Sequence, residues 1–396
     1  MFEPLLILSL LLLAVVSWYA GTRYGRRKVE GQDRSRELAQ HYFQGINFLL
    51  NEQPDQAIDT FIRSVEVTPV TLETHLALGN LMRQKGEMER ATRVHQNLLS
   101  RPNLSHQQLC QARLELGRDF LKAGVFDRAE RLFLELVEDE SGELRQASLF
   151  HLVHIYRHEQ EWEKAIRAAD MIDRKRFGRD RDSLAVEQAH FCCELAVQAM
   201  AENDLLQARR HLKSALKFNR DSARASILWG DLAMRAENYS EALRRYCAVP
   251  EQQLDYLPEV LESVRRCYLE LGDREGFLRQ LRGWLQRYHG ASLLRVASEE
   301  IAAQEGAGQA QVFLADYLRQ RPSLKGMRTL LRVSGQTGED GDQYIQLLRD
   351  TLDALIDGAP TYRCIHCGFK GAQLHWLCPQ CERWETVRPV KGVQGE

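Results

Sequence analysis

Between His41 and Pro69 the chain reads HYFQGINFLLNEQPDQAIDTFIRSVEVTP. Apolar residues from Tyr42 to Leu50 recur at helical spacing, a polar break covers Asn51 to Asp55, and a second helical run extends from Ala57 to Val67. Pro69 stops that run, because it has no N–H for a further turn. The pattern predicts two helices joined by a short turn. Gly45 and Ala57 are small, so the helix axes can approach, and Phe61 is expected to fill the gap toward a next pair. The same grammar returns. Gly79 and Ala91 repeat Gly45 and Ala57 at an offset of 34 residues. Gly117, Phe120, Ala129 and Phe133 mark a third pair, Tyr156 and Ala165 a fourth, Ala196, Ala208, Leu212 and Ala215 a fifth, and Gly230, Ala242 and Tyr246 a sixth. Looser patterns predict helices at 261–271 and 277–288, at 293–303 and 310–319, and at 326–333 and 344–356.

Gly45, Ala57, Phe61 and Pro69 fall at positions 8, 20, 24 and 32 of a unit beginning at Leu38. That spacing resembles the tetratricopeptide repeat, a helix–turn–helix unit of about 34 residues. The resemblance implies an all-α superhelix of about nine helix pairs with one concave face. Carried over residue by residue, the groove positions of such repeats fall on Tyr42, Ile46 and Leu49, on Asn80 and Arg83, on Arg118 and Lys122, on His154, Arg157 and His158, and on Arg224, Asp231 and Arg235. The expected groove is apolar at its start and basic in its middle, suited to a segment carrying acidic groups. His151, His154 and His158 share a helical face at i, i+3 and i+7, and packed or groove-lining histidines are the simpler reading of them.

Composition narrows the function classes. The chain has 396 residues and a formal net charge of -2, which gives no global attraction to nucleic acid. No GxxxxGK[ST], HExxH or GxSxG motif is present, so the reading is not an enzyme. Cys110, Cys192, Cys193, Cys247 and Cys267 lie scattered in helical segments and read as buried thiols of a reducing compartment.

Pro4 to Thr22 is a run of 19 residues without formal charge. As a helix it would measure about 28 Å, close to the hydrocarbon thickness of a bilayer. Trp18, Tyr19 and Tyr24 stand at its far end, followed by Arg23, Arg26, Arg27 and Lys28. The expectation is an uncleaved inner-membrane anchor at 1–22, with everything beyond it in the cytoplasm. A basic juxtamembrane linker at 23–36, a repeat array at 37–358, a metal-binding domain at 359–389 and a tail at 390–396 complete the expected organisation.

The metal-binding expectation rests on YRCIHCGFKGAQLHWLCPQCERW at 362–384. Cys364 and Cys367 form one CxxC, and Cys378 and Cys381 form a second one ten residues later. Four thiolates on two tight knuckles suit one tetrahedral ion, iron or zinc. Gly368 permits the backbone angles of such a knuckle, Pro379 stiffens the second turn, and Tyr362, Trp376 and Trp384 are expected to cover the site. The quartet resembles a rubredoxin-type domain but carries Glu382 where rubredoxins commonly have Gly.

The parts together, with GINFLLNEQPDQAID, HLALGNLMRQKGEMERATRVHQ, LGRDFLKAGVFDRAERLF and AHFCCELA, resemble the lipopolysaccharide assembly protein B family over nearly the whole chain. The resemblance implies an adaptor that limits lipopolysaccharide synthesis by promoting proteolysis of the deacetylase LpxC by the membrane protease FtsH. It further implies links to an inner-membrane lipopolysaccharide sensor and assembly proteins, and it leaves room for a homodimer. The family's ligands map to Cys364, Cys367, Cys378 and Cys381. The alternative reading is a rubredoxin-like redox protein carried on a repeat scaffold.

Overall fold

The computed structural model describes residues 17–18, 47–48, 56, 59–60, 72–139, 142–173, 180–334, 343–357, 359–393 and 395–396. Of the first predicted helix pair, Asn47, Phe48, Asp59 and Thr60 are described and helical; Tyr42, Ile46 and Leu49 lie outside the described residues. The chain divides into two compact units, Met1–Glu159 and Gln160–Glu396. In the first, α1 (Leu72–Gln84) pairs with α2 (Met88–Leu99), α3 (His106–Lys122) pairs with α4 (Phe126–Asp139), and α5 (Glu143–His158) follows. The second begins with α6 (Trp162–Asp170) and continues through α7 (Asp180–Ala201), α8 (Leu205–Phe218), α9 (Ala223–Arg235), α10 (Tyr239–Gln252), α11 (Leu257–Glu270), α12 (Arg274–Leu285), α13 (Ala291–Glu305), α14 (Ala307–Gln320), α15 (Leu324–Ser334) and α16 (Gln343–Asp357). It ends in a small sheet of β1 (Tyr362–Cys364), β2 (Lys370–Gly371) and β3 (Val387–Pro389).

The hairpin turns share one backbone device. Gly86, Gly124, Gln160, Asn203, Glu237 and Gly272 each stand two residues beyond one helix and two before the next, and each has positive φ, between 53° and 84°. A left-handed residue there lets the next N–H reach back to the helix it has left. Glu87 N–H donates to Met82 O at 2.9 Å, Val125 to Phe120 at 2.9 Å, Asn238 to Ala233 at 2.9 Å and Asp273 to Tyr268 at 3.0 Å. Asp204, Asn238 and Asp273 then cap the helix that follows, accepting from the N–H of Gln207, Glu241 and Gly276. The short polar side chain satisfies a donor that the first turn cannot.

In three of the hairpins a glycine of one helix faces a ring of the next. Gly79 meets His95, Gly117 meets Phe133, and Gly230 meets Tyr246. Phe133 also stacks on His151 of the following helix, with centroids 4.9 Å apart, so a single ring closes its own pair and begins the contact to the next. A continuous core of the second unit runs from Ala223 to Ala297 and takes in Leu374 and Trp376 of the C-terminal module.

The single-pass inner-membrane placement needs correction. No helix among the described residues is long and apolar enough to cross a membrane. A span needs about 20 predominantly apolar residues, and the 22-residue helix α7 carries Glu187, His190 and Glu194 along its length. Of the stretch 4–22, Ser17 and Trp18 are helical and exposed, and its other residues lie outside the described ones.

Candidate metal centre

The C-terminal module is built round its cysteines. β1 pairs antiparallel with β2, Tyr362 opposite Gly371, and on its other edge with β3, Cys364 opposite Val387. Cys364, Cys378 and Val387 are buried, with Tyr362, Phe369 and Leu374 packed against them. Gly368, with φ of 80°, turns the first knuckle, and its N–H donates to Cys364 O at 3.1 Å. In the second knuckle the Glu382 N–H donates to Cys378 O at 2.9 Å. Glu382 takes the same left-handed conformation, with φ of 51°. That is the physical reason a glycine suits this position.

The four Sγ atoms lie within 4.8 Å of one another. Cys364 and Cys381 are 3.8 Å apart and Cys367 and Cys378 3.6 Å apart. A tetrahedron with metal–sulfur bonds of about 2.3 Å has edges of about 3.8 Å, so the thiols already stand at the corners one ion requires. The backbone N–H groups of His366 and Cys367 point at Cys364 Sγ from 3.4 and 3.5 Å, which favours a thiolate there. Burial raises the Cys364 pKa, but hydrogen bonds from Thr386, Cys367 and His366 outweigh it and bring the thiol to about 6. Cys367 is pushed up to about 12 despite the Phe369 N–H, by burial and by the neighbouring thiols. Four sulfurs this close cannot all ionise without a cation between them. The donor set therefore fits one tetrahedral metal ion, and its chemistry is that of a closed site.

The module is seated on the second unit by polar contacts that link distant parts of the chain. His190 on α7 is fully buried. It stacks on Trp384 with centroids 4.4 Å apart and planes 7° off parallel, and its Nε2–H donates to Glu385 at 3.1 Å. Burial holds the imidazole neutral by lowering its pKa. Burial opposes ionisation of Glu385, but the bonds from His190 and Gln253 keep its carboxyl below the usual range. Tyr362 O–H donates to Glu259 at 2.6 Å, and Arg388 donates to Asp255 at 2.6 Å. Lys391 pairs with the same Asp255 at 2.5 Å. The residues expected to be a tail dock as well. Glu396 accepts from the Ser292 N–H at 3.0 Å and from its hydroxyl, at the start of α13. Trp376 and Trp384 were expected over the sulfurs. They turn instead toward Tyr256, His190 and Arg224.

The expected groove cations fare differently. Arg83 bonds Glu115 at 2.6 Å and Asp119 at 2.8 Å. Arg118 bonds Glu115 at 2.6 Å and donates to His151 Nε2 at 3.1 Å. Burial first, then Arg118, lowers the His151 pKa to about 4. Asp119 also binds the buried His95 at 2.5 Å. In the first unit this part of the face is a charge-balanced network. Lys122 is exposed, His154 and Arg157 are half-buried, and His158 packs on Phe126 with centroids 4.6 Å apart. In the second unit Arg235 donates to the Met200 carbonyl at 2.9 Å, and the Asp231 carboxylate accepts from the Tyr246 hydroxyl at 2.6 Å. Arg224 is buried under the module, paired with Glu194 at 2.9 Å and lying over Trp376 and Trp384. The structure thus takes Arg224 out of any groove. The vicinal Cys192 and Cys193 are buried, and burial pushes both thiols up to about 12. His190, Gln253, Asp255, Glu259 and Glu385 carried no local sequence signal, because each pairs across more than a hundred residues of chain or with a partner that does.

Residues 362–389 match a family model described as a rubredoxin metal binding domain. Residues 74–105, 114–177 and 193–252 match tetratricopeptide repeat models. Lipopolysaccharide assembly protein B of Escherichia coli strain K12 is 35% identical over 393 residues, covering 99% of this chain and 99% of that one. The chain belongs to the lipopolysaccharide assembly protein B family. The Haemophilus influenzae member is 32% identical over 400 residues, with 98% and 99% covered. A solved tetratricopeptide repeat protein from Parabacteroides merdae is 13% identical, covering 71% of this chain and 98% of that one, with a TM-score of 0.33. The family's members thus align with this chain through both the repeats and the cysteine module.

Proposed function

We propose that this protein is a non-catalytic adaptor in the control of lipopolysaccharide assembly, which brings the deacetylase LpxC to the protease FtsH. The observation that carries the reading is the family match along 99% of both chains, which takes in the helix pairs and the metal module together. Stacked hairpins offer extended side-chain surfaces without needing a reacting group. The closed cysteine site acts in this reading as a clasp. One ion, zinc or iron, held by Cys364, Cys367, Cys378 and Cys381 neutralises the thiolates and fixes the two knuckles. The knuckles in turn hold Trp384 and Glu385 against His190. The acidic-segment groove formed by Lys122, His154, Arg157 and His158 belongs to the same proposal, with Arg83 and Arg118 as its charge-balanced floor.

The test is to remove the protein from its own cells and follow LpxC by pulse–chase. The expected result is an LpxC lifetime several-fold longer, restored by the intact chain and not by Cys378→Ser. An LpxC lifetime unchanged by removal would sink the proposal.

A further inference from the structure

α8 differs in charge from the helices around it. Its fourteen residues, LLQARRHLKSALKF, contain no aspartate or glutamate. Ala208, Leu212 and Ala215 face the core. On the opposite side Leu206, Arg210, Lys213 and Lys217 follow one another at i, i+4, i+7 and i+11, all exposed. Residues at this spacing form one stripe along a helix.

Several arginines of the second unit, Arg209 exposed and Arg265 and Arg295 half-buried, reach a glutamate on a neighbouring hairpin. Arg209 bonds Glu241 at 2.8 Å, Arg265 bonds Glu299 at 3.0 Å, and Arg295 bonds Glu262 at 2.7 Å. Among the described residues the three stripe cations have no such partner. Arg210 touches only the neutral amide of Gln207, at 3.4 Å. The acid nearest in sequence at the start of the helix, Asp204, is spent on the cap, accepting from the Gln207 N–H at 3.0 Å. Three like charges held over about 10 Å of helix repel one another, and within a Debye length of about 8 Å that repulsion is only partly screened. Leu206, 63% exposed, adds an apolar contact at one end.

We infer that this stripe is a docking surface for an acidic helical segment of a partner protein, one whose carboxylates repeat at i, i+3 and i+7 opposite Arg210, Lys213 and Lys217. The inference rests on the adaptor reading only for the partner being a protein. The spacing selects for a helix over a flexible polyanion. Electrostatic contacts of this kind set encounter rate and register more than total affinity.

The experiment uses the full chain and a fluorescent, helix-forming peptide of about 20 residues with glutamates at that spacing, read by anisotropy. A peptide of the same composition with the glutamates permuted is the control. The expected result is binding that weakens about tenfold from 0.05 to 0.5 M salt. Arg210→Glu/Lys213→Glu/Lys217→Glu should lower affinity at least tenfold, and the permuted peptide should bind about fivefold more weakly. Circular dichroism and metal content check that the triple variant is folded, and the milder Lys213→Gln/Lys217→Gln stands in if it is not. Equal affinity in the variants overturns the inference. So does equal affinity for the permuted peptide, or tighter binding of duplex DNA or phosphatidylglycerol vesicles, since those describe a face that takes any anion. Concentration-dependent self-association abolished by the same substitutions overturns it in favour of a second copy. LpxC turnover measured with the triple variant separates the two proposals: loss of peptide binding with turnover intact removes the stripe from the adaptor's role and leaves that role standing.

Discussion

The ring of Phe133 occupies the space that a side chain on Gly117 would need. A β-carbon built on Gly117 would stand 2.6 Å from Phe133 Cε1, and one on Gly230 would stand 2.4 Å from the Tyr246 ring. In each pair the ring stands sixteen positions after the glycine. The Phe133 and Tyr246 rings are almost completely buried, so neither can swing aside without opening the core.

Gly117→Ala and Gly230→Ala are therefore expected to destabilise by about 1–3 kcal/mol through overpacking. Gly283 on α12 is the control, because nothing lies within 4 Å of its added β-carbon. Gly283→Ala should stabilise by about 0.5–1 kcal/mol. Urea midpoints measure all three, and a loss in Gly117→Ala no larger than the noise would contradict the packing account.

The left-handed turn residues carry strain of a different kind. Gln160 and Glu237 have φ of 59° and 53°, where other hairpins place Gly86 or Gly124. Gln160→Gly and Glu237→Gly should each gain about 0.5–1 kcal/mol, while Gly86→Ala loses a similar amount. Thermal melts of the three variants give the order directly.

His151 makes stability depend on pH. Its pKa is about 4 in the folded chain against an ordinary 6.5. Between these values the unfolded chain binds a proton that the folded one does not, so stability falls as pH drops from about 6.5 to about 4. The shift corresponds to at most about 3 kcal/mol. His151→Leu should flatten that part of the profile, measured as urea midpoint against pH. An unchanged slope would assign the acid sensitivity to other groups.

Loss of the metal should be felt on the far side of the module. Cys378→Ser, or a chelator, is expected to release the ion and lower Tm by several degrees, with metal content and melting measured on one sample. The His190–Glu385 bond should show a coupling of about 1–3 kcal/mol in a double-mutant cycle of His190→Ala and Glu385→Ala.

What could be read from the sequence was whatever repeats locally. The Gly–Ala–aromatic spacing marks the hairpins because each unit needs the same small and large residues at the same contact. Two CxxC pairs bring four sulfurs together over a short stretch. Charge at the face was harder to read. Arg83 and Arg118 look free in a one-dimensional count, yet Glu115 is one hairpin away from the first and one turn from the second. Trp376 and Trp384 were expected over the sulfurs, because nothing near them in sequence announces His190 or Tyr256. The seat of the module is made by residues chosen for one another across the chain, and no period records that choice.

His190 and Glu385 are 195 positions apart. A growing chain emerging from the ribosome exposes the flank of α7, α9 and α11 long before the strands that will roof it exist. Contacts of such separation form late and slowly. Until residues 362–389 have emerged and folded, Arg224 lacks its aromatic cover and the apolar surface beside Tyr256 lies open. A chain cut short near its end would carry a nearly complete set of hairpins, yet display to proteases and chaperones a surface that the finished protein never shows.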